Sequence, residues 1–307
     1  MAAGAAMKMN TPISALLDDG RLHLQHGPID LIIEAFADHC DEIKTAYEQA
    51  SMRFSALLSN LVLELPQLRM AVSDAYPAFA DPVAQRMARA VWPYRDQYIT
   101  PMAAVAGSVA DEILQALVAG RDLNRAYVNN GGDIALHLAP GEKFEIGIAG
   151  LEDAAVKGQF RIHAHDNVRG VATSGWRGRS FSLGIADSVT VLAGSAAEAD
   201  AAATMIANAV NVEHPGIKRV PACEIQTESD LGALLVTRGV PVLHREIVDF
   251  ALDAGARAAR KYFHQGLIER AAVRLQGQAR LIGNGSAMTV PDQCHSERSE
   301  ESAFAVV

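Results

Sequence analysis

The stretch from Ala126 to Leu138, AYVNNGGDIALHL, holds two apolar-rich runs with only Asn-Asn-Gly-Gly-Asp between them. A link that short joins neighbouring antiparallel strands. Asn-Gly and Gly-Gly supply the positive φ angles that such a turn requires. Further strand-like runs follow in KFEIGIAGL, QFRIHAHD, RGVATSG and DSVTVLA, and ERAAVRLQGQARLIG closes as a hairpin. Near the start, RLHLQHGPIDLII alternates apolar and polar residues and breaks at Gly27-Pro28, a second hairpin.

Helices lie among these strands. From Asp41 to Glu64, Ile43, Tyr47, Ala50, Phe54, Leu57, Leu58 and Leu61 recur at three- and four-residue spacing, and Pro66 is expected to close the helix. DPVAQRMARAVW is read as a helix with Asp81 as N-cap and Pro82 at its first position. In TPMAAVAGSVADEILQALVAG, Thr100 is expected to cap, Pro101 to start and Gly120 to stop a helix whose first turns are nearly all small residues. SAAEADAAATMIANAV carries a capping box from Ser195 and Glu198, and REIVDFALDAGARAARKYFHQG is amphipathic up to Gly266. Helices and strands follow one another without regular βαβ alternation. The expected class is therefore α+β, with mixed or antiparallel sheets packed with helices. The expected organisation is a flexible N-terminus over 1–19, one domain over 20–283, and a polar, disordered tail over 284–307.

Composition narrows the function. Net charge is −9 over 307 residues, which argues against a general nucleic-acid binder. No apolar run is read as reaching the roughly 18 residues of a membrane span, and the N-terminus lacks the apolar core of a signal peptide. Cys40, Cys223 and Cys294 stand far apart without a CxxC pair, so a reducing cytoplasm is expected.

Five segments could carry chemistry. In YVNNGGDI, Asn130-Gly131-Gly132 lets a ligand approach the backbone, and Asp133 could accept from a ribose hydroxyl or base edge. Taken alone, a plain hairpin turn explains it better. In GVATSGWRGR, the amides of Gly170, Gly175 and Gly178, the hydroxyls of Thr173 and Ser174, and the guanidiniums of Arg177 and Arg179 suit a phosphate. An exposed loop with two solvated arginines fits that segment equally well. In EADAAAT, Asp200 and Thr204 share a helix face and offer oxygen ligands for Mg²⁺; a solvated Asp beside a Thr bonded to the preceding turn is the commoner case. RIHAHD places His163 and His165 on one strand face, where a half-exposed polar face is favoured over a metal site that would lack a third ligand. Cys223, near Lys218 and Arg219 in sequence, is read first as a small buried thiol; a reactive thiolate would need a cation beside it in space.

MAAVAGSVADEI, YVNNGGDI, GVATSG and DSVTVLAGSAAEADAAAT, in that order, resemble the ApbE-like superfamily, whose best-known members are FAD-dependent FMN transferases. GVATSGWRGRSFSLGIADSVTVLA looks closer still to an uncharacterised, shorter branch of it, and that resemblance extends over most of residues 20–283. The resemblance implies an ApbE-like fold with Mg²⁺ held by Asp200, Thr204 and the carbonyl of Ala106. It also implies a flavin nucleotide pocket lined by Gly131, Gly132, Asp133, Thr173 and Ser174. The expected cofactors are Mg²⁺ and FAD, FMN or another nucleotide. The expected partner is a phosphorylated small molecule, with no nucleic acid and no membrane; a homodimer is possible. The chain departs from the transferases in two ways. Between Ser174 and Val189 it has no histidine and no DPxTG segment, and Gly107 stands where they carry a lysine. The base that would activate an acceptor hydroxyl is thus missing. Two other readings stay open: a thiol- or sulfur-handling enzyme using Cys223, and a non-enzymatic interaction protein with a vestigial pocket.

Overall fold

The computed structural model describes residues 11–149, 156–283 and 304–306. In chain order these form β1 (Ile13–Leu16), β2 (Leu22–His26), β3 (Ile29–Phe36), α1 (Cys40–Leu68), α2 (Pro82–Val91), α3 (Val105–Val118), β4 (Arg125–Asn130), β5 (Asp133–Leu138), β6 (Lys143–Ala149) and β7 (Val156–His163). There follow β8 (Gly170–Ser174), β9 (Ser188–Ala193), α4 (Ala196–Ala209), β10 (Lys218–Pro221), α5 (Ala222–Ile225), β11 (Leu235–Gly239), α6 (Arg245–His264), β12 (Arg270–Leu275), β13 (Gln278–Gly283) and β14 (Phe304–Val306).

Nine strands make one sheet in the order β1-β2-β3-β4-β5-β8-β9-β12-β13, and every neighbouring pair in it is antiparallel. The class is α+β, as the hairpin turns imply. Alternation along the strands sorts side chains onto two faces. On one face, Leu24, Leu31, Ile33, Val128 and Ala135 pack with Phe54, Leu57 and Leu61 of α1 and with Val109 and Ile113 of α3. Farther along the same face, Ala172, Val189 and Val191 pack with the alanines of α4 and with Val248, Leu252 and Ala256 of α6. On the other face, Tyr127, Ile134, Leu136, Val171 and Leu192 are covered by Phe144, Ile146, Phe160 and Ile162 of the β6–β7 hairpin. Burying each large side chain contributes roughly 1.5–3 kcal/mol.

Several sequence-level expectations are corrected. Pro66 does not end α1, which runs on to Leu68; a proline in the last turn removes a single backbone bond, and the helix tolerates the loss there. Thr100 makes no cap hydrogen bond, because its Oγ1 donates to Asp230 Oδ2 at 2.5 Å. The chain therefore starts with a 3₁₀ turn over Pro101–Ala104, and α3 begins only at Val105. The stretch Pro101–Val118 does reach the length and apolar character of a membrane span by composition, but half of it is buried inside the domain. In the segment expected to be flexible, β1 forms an exposed edge strand. Of the tail expected to be disordered, only β14 is described, paired in parallel with β6.

Candidate functional site

The turn between β4 and β5 is built from Gly131 and Gly132, whose φ angles are +66° and +111°. Its geometry is fixed by side chains rather than left to the glycines. Asn129 Oδ1 accepts from the Gly132 amide at 2.8 Å, and Asn130 Nδ2 donates to the Ala106 carbonyl at 3.1 Å. The second bond ties the turn to the start of α3, and Asp133 follows directly on β5.

Helices α3 and α4 meet at their N-termini and exchange caps. The first amides of a helix lack intrahelical partners and favour negative charge. Asp200 of α4 accepts from the Gly107 amide at 3.0 Å, and the Ala106 amide also points to it. Asp111 of α3 accepts from the amides of Ala196 and Ala197, each at 3.0 Å. Ser195 completes the start of α4 by accepting from the Glu198 amide at 3.3 Å, as its capping-box position predicts. Glu112 fixes α3 from its outer side, with Arg53 Nε at 2.8 Å and Arg86 Nη1 at 2.7 Å.

The backbones are in close contact here. A Cβ on Gly107 would lie 2.2 Å from the Ala196 carbonyl oxygen, and one on Gly170 would lie 2.0 Å from the Ser195 carbonyl carbon. Any side chain at position 107 would meet this same backbone, so a glycine there goes with the tight α3–α4 junction. The run of small residues in both helices is what permits the approach.

Two carboxylates, Asp111 and Asp200, thus cap the junction, and Asp133 begins β5 beyond the glycine turn. Burial pushes Asp200 up to about 7; the Ala106 and Gly107 amides oppose this and Asp111 adds to it. Burial likewise pushes Asp111 up to about 6. Asp133 is raised well above the ordinary carboxylate range by burial and by repulsion from Asp200. The Thr173 amide and the Arg179 guanidinium offset part of that rise. Hydrogen bonds and packing join these segments: Asn130 of the β4–β5 turn reaches the Ala106 carbonyl, Asp200 of α4 accepts from the Gly107 amide, and Arg179 of the loop after β8 lies over Gly131.

The structure treats the remaining sequence candidates differently. Thr204 is half-buried one helical turn beyond Asp200, on the same face. The Ala106 carbonyl is at the junction, already accepting from Asn130. The Thr173 hydroxyl shares a 2.9 Å hydrogen bond with Thr190, so this residue gives the junction its amide rather than its side chain. Ser174 ends β8, half-buried. Gly170 and Gly178 do not form an open nest of amides: Gly170 is packed inside β8 against α4, and the Gly178 amide donates to the Gly175 carbonyl. Arg169 is structural, donating to the carbonyls of Ala164, Asp166 and Val168.

Asp187, which the sequence reading passed over, organises the loop. Its Oδ1 accepts from Trp176 Nε1 at 3.2 Å and Arg177 Nε at 3.0 Å, and its Oδ2 accepts from the Gln276 amide at 2.5 Å. Arg177, expected to bind phosphate, is thus engaged by a carboxylate, while Arg179 extends to the Gly131 turn. Asp187→Ala leaves three donors without this acceptor and is expected to destabilise by on the order of 2–4 kcal/mol. A lowered denaturant midpoint at unchanged m-value checks this; an unchanged midpoint contradicts it.

His163 and His165 do not share a strand face. β7 ends at His163, and His165 lies in the following turn, the two rings stacked with centroids 5.2 Å apart. Asp166 accepts from the His163 amide at 2.9 Å, which forms that turn. Cys223 is exposed on the single-turn α5 rather than buried as expected, and Arg219 is bonded to Asn211. Neither Cys223 nor the His pair joins the convergence described above. Among the described residues no three His, Cys, Asp or Glu side chains are grouped to hold a metal ion.

A family model described as AbpE bacteria matches residues 14–281. A UPF0280 protein of Methanothrix thermoacetophila is 33% identical over 187 residues, covering 60% of this chain and 75% of that one. The UPF0280 protein of Methanothermobacter thermautotrophicus is 41% identical over 119 residues, covering 38% and 45%. That of Methanosarcina acetivorans is 29% identical over 212 residues, covering 68% and 81%. Among solved structures, an ApbE protein of Thermotoga maritima aligns over 90% of this chain and 97% of its own, with 13% identity and a TM-score of 0.46. The apo flavinyl transferase ApbE of Pseudomonas stutzeri aligns over 90% and 96%, with 13% identity and a TM-score of 0.38. The resemblance carried by the four ordered motifs is borne out, and with nearly the whole folded region matched, the chain belongs to the AbpE bacteria family.

Proposed function

We propose that this protein binds a phosphorylated small molecule, a flavin or other nucleotide, together with a divalent cation at the α3–α4 junction. One observation carries the reading: at the N-terminus of α3, Asp200 of α4 accepts from the Gly107 amide while Asn130 of the glycine turn donates to the Ala106 carbonyl, so three of the candidate segments meet there. Burial disfavours the charged form of the Asp200 carboxylate there, and a divalent cation would relieve it. The donor set fits a hard cation. Asp200 accepts from backbone amides yet has further lone pairs, Thr204 adds a hydroxyl on the same face, and the Ala106 carbonyl has a second lone pair. Mg²⁺ takes such oxygens together with water and phosphate. When bound, it would supply charge neutralisation for the phosphate.

The chain's own residues do the rest. The Gly131-Gly132 turn lets a ligand approach the backbone, and Arg179 presents a guanidinium beside it. The reading stops at binding, because the sequence between Ser174 and Val189 supplies no histidine to act as a base. In a thermal melt, FAD with MgCl₂ is expected to raise the midpoint, since a ligand at about a hundred times its dissociation constant stabilises by about 2.7 kcal/mol. No rise with FAD, FMN, ATP or ADP in the presence of Mg²⁺ contradicts the proposal.

A further inference from the structure

The Arg179 guanidinium lies directly on the Gly131 backbone. A Cβ at position 131 would fall 1.4 Å from Nη2 and 2.6 Å from Cζ. The loop that carries it is fastened on both sides. Trp176 N–H donates to the Ala186 carbonyl and Gly178 N–H to the Gly175 carbonyl. Asp187 holds Trp176, Arg177 and Gln276. Farther along, Leu183 N–H donates to Asn208 Oδ1 and Ile185 N–H to the Val210 carbonyl, both at the far end of α4. Gln276 holds a positive φ of 44° for a non-glycine residue, and its side chain bonds Pro241 and Leu243. The loop's anchorage therefore extends into the β12–β13 turn. Arg179 itself is exposed, and its guanidinium lies over Gly131, two residues before Asp133.

Among the described residues, Arg179 has no carboxylate within ion-pair distance. The turn it covers leads directly into Asp133, the first residue of β5. A positive charge at the rim of a carboxylate site has opposite effects on the two parts of a metal–phosphate ligand: it repels a bare cation and attracts an anion. We infer that Arg179, laid over the Gly131 turn, makes the site selective for a cation accompanied by an anionic group, by opposing the cation alone and favouring the anion. This rests on the binding site proposed above.

The test uses the full-length protein and two titrations by calorimetry, MgCl₂ alone and FAD alone in EDTA. Relative to the unsubstituted protein, Arg179→Gln is expected to bind Mg²⁺ roughly three- to ten-fold more tightly and FAD more weakly by a similar factor. Arg179→Lys keeps the charge and is expected to retain the original Mg²⁺ affinity. If the unsubstituted protein binds both but Arg179→Gln leaves Mg²⁺ affinity unchanged or weaker, Arg179 merely packs on the turn and the inference is overturned. If the unsubstituted protein binds neither Mg²⁺ nor FAD, the site itself fails and the inference with it.

Discussion

Asp200→Asn is expected to make the ligand-free protein more stable at pH 8. The folded chain pushes the Asp200 carboxyl up to about 7 from its ordinary 3.8, chiefly by burial. The native state therefore holds a proton that the unfolded chain has already lost between about pH 4 and pH 7. Stability falls as pH rises through that window, because the unfolded state binds fewer protons. Asparagine does not ionise and keeps an oxygen for the Gly107 amide, so the variant escapes the loss. Below pH 4 the two proteins should melt together, and above pH 7 the variant should lead by on the order of 2–4 kcal/mol. MgCl₂ with FAD should reverse the order, stabilising the parent and not the variant. A variant less stable at pH 8 would mean that Asp200 serves as a helix cap and little else. This is the pattern of a site that trades stability for binding.

The second large effect is steric. Gly170→Ala puts a methyl 2.0 Å from the Ser195 carbonyl carbon and 2.1 Å from the Ala196 amide nitrogen, and Gly107→Ala puts one 2.2 Å from the Ala196 carbonyl oxygen. All are backbone atoms at the start of α4, so no side chain can swing aside. Overpacking of this kind costs about 3 kcal/mol or more, which lowers the melting temperature by roughly 6–12 °C in a domain of this size. Gly239→Ala is the control, since its methyl would meet only the Lys218 side chain at 3.6 Å or beyond. The Gly107 and Gly170 variants should also lose ligand-induced stabilisation, because α4 carries Asp200 and Thr204. Melting within 2 °C of the parent would show that α4 is free to shift, and the tight junction would have to be given up.

Local chemistry was legible in the sequence wherever a few adjacent residues determine the outcome. Asp81 accepts from the amides of Val83 and Ala84 ahead of Pro82, Ser195 caps α4, and the Gly131-Gly132 turn joins β4 to β5. What the sequence hid depends on distant partners. Thr100 looks like a cap until Asp230, far along the chain, takes its hydroxyl. Asp111 and Asp187 look like ordinary acids, yet one caps a helix that begins 85 residues later and the other fastens a loop to the β12–β13 turn. Strands β10 and β11 and the short α5 passed unnoticed because KRVP, LVTRG and ACEI are too short to show a period. The candidate site was legible as a set of residue types in order. Its geometry was not: the exchanged caps, the bonded Thr173 hydroxyl and the tethered Arg177 all arise from packing.

The most direct test of the account is an anomalous difference map from crystals grown with Mn²⁺ and FAD. The account predicts a single strong peak at the α3–α4 junction, about 2.0–2.2 Å from a carboxylate oxygen of Asp200. Thr204 and the Ala106 carbonyl should complete its protein ligands, with phosphate oxygens facing Arg179. Nucleotide density with the peak elsewhere, or no peak near Asp200 at saturating Mn²⁺, would contradict it.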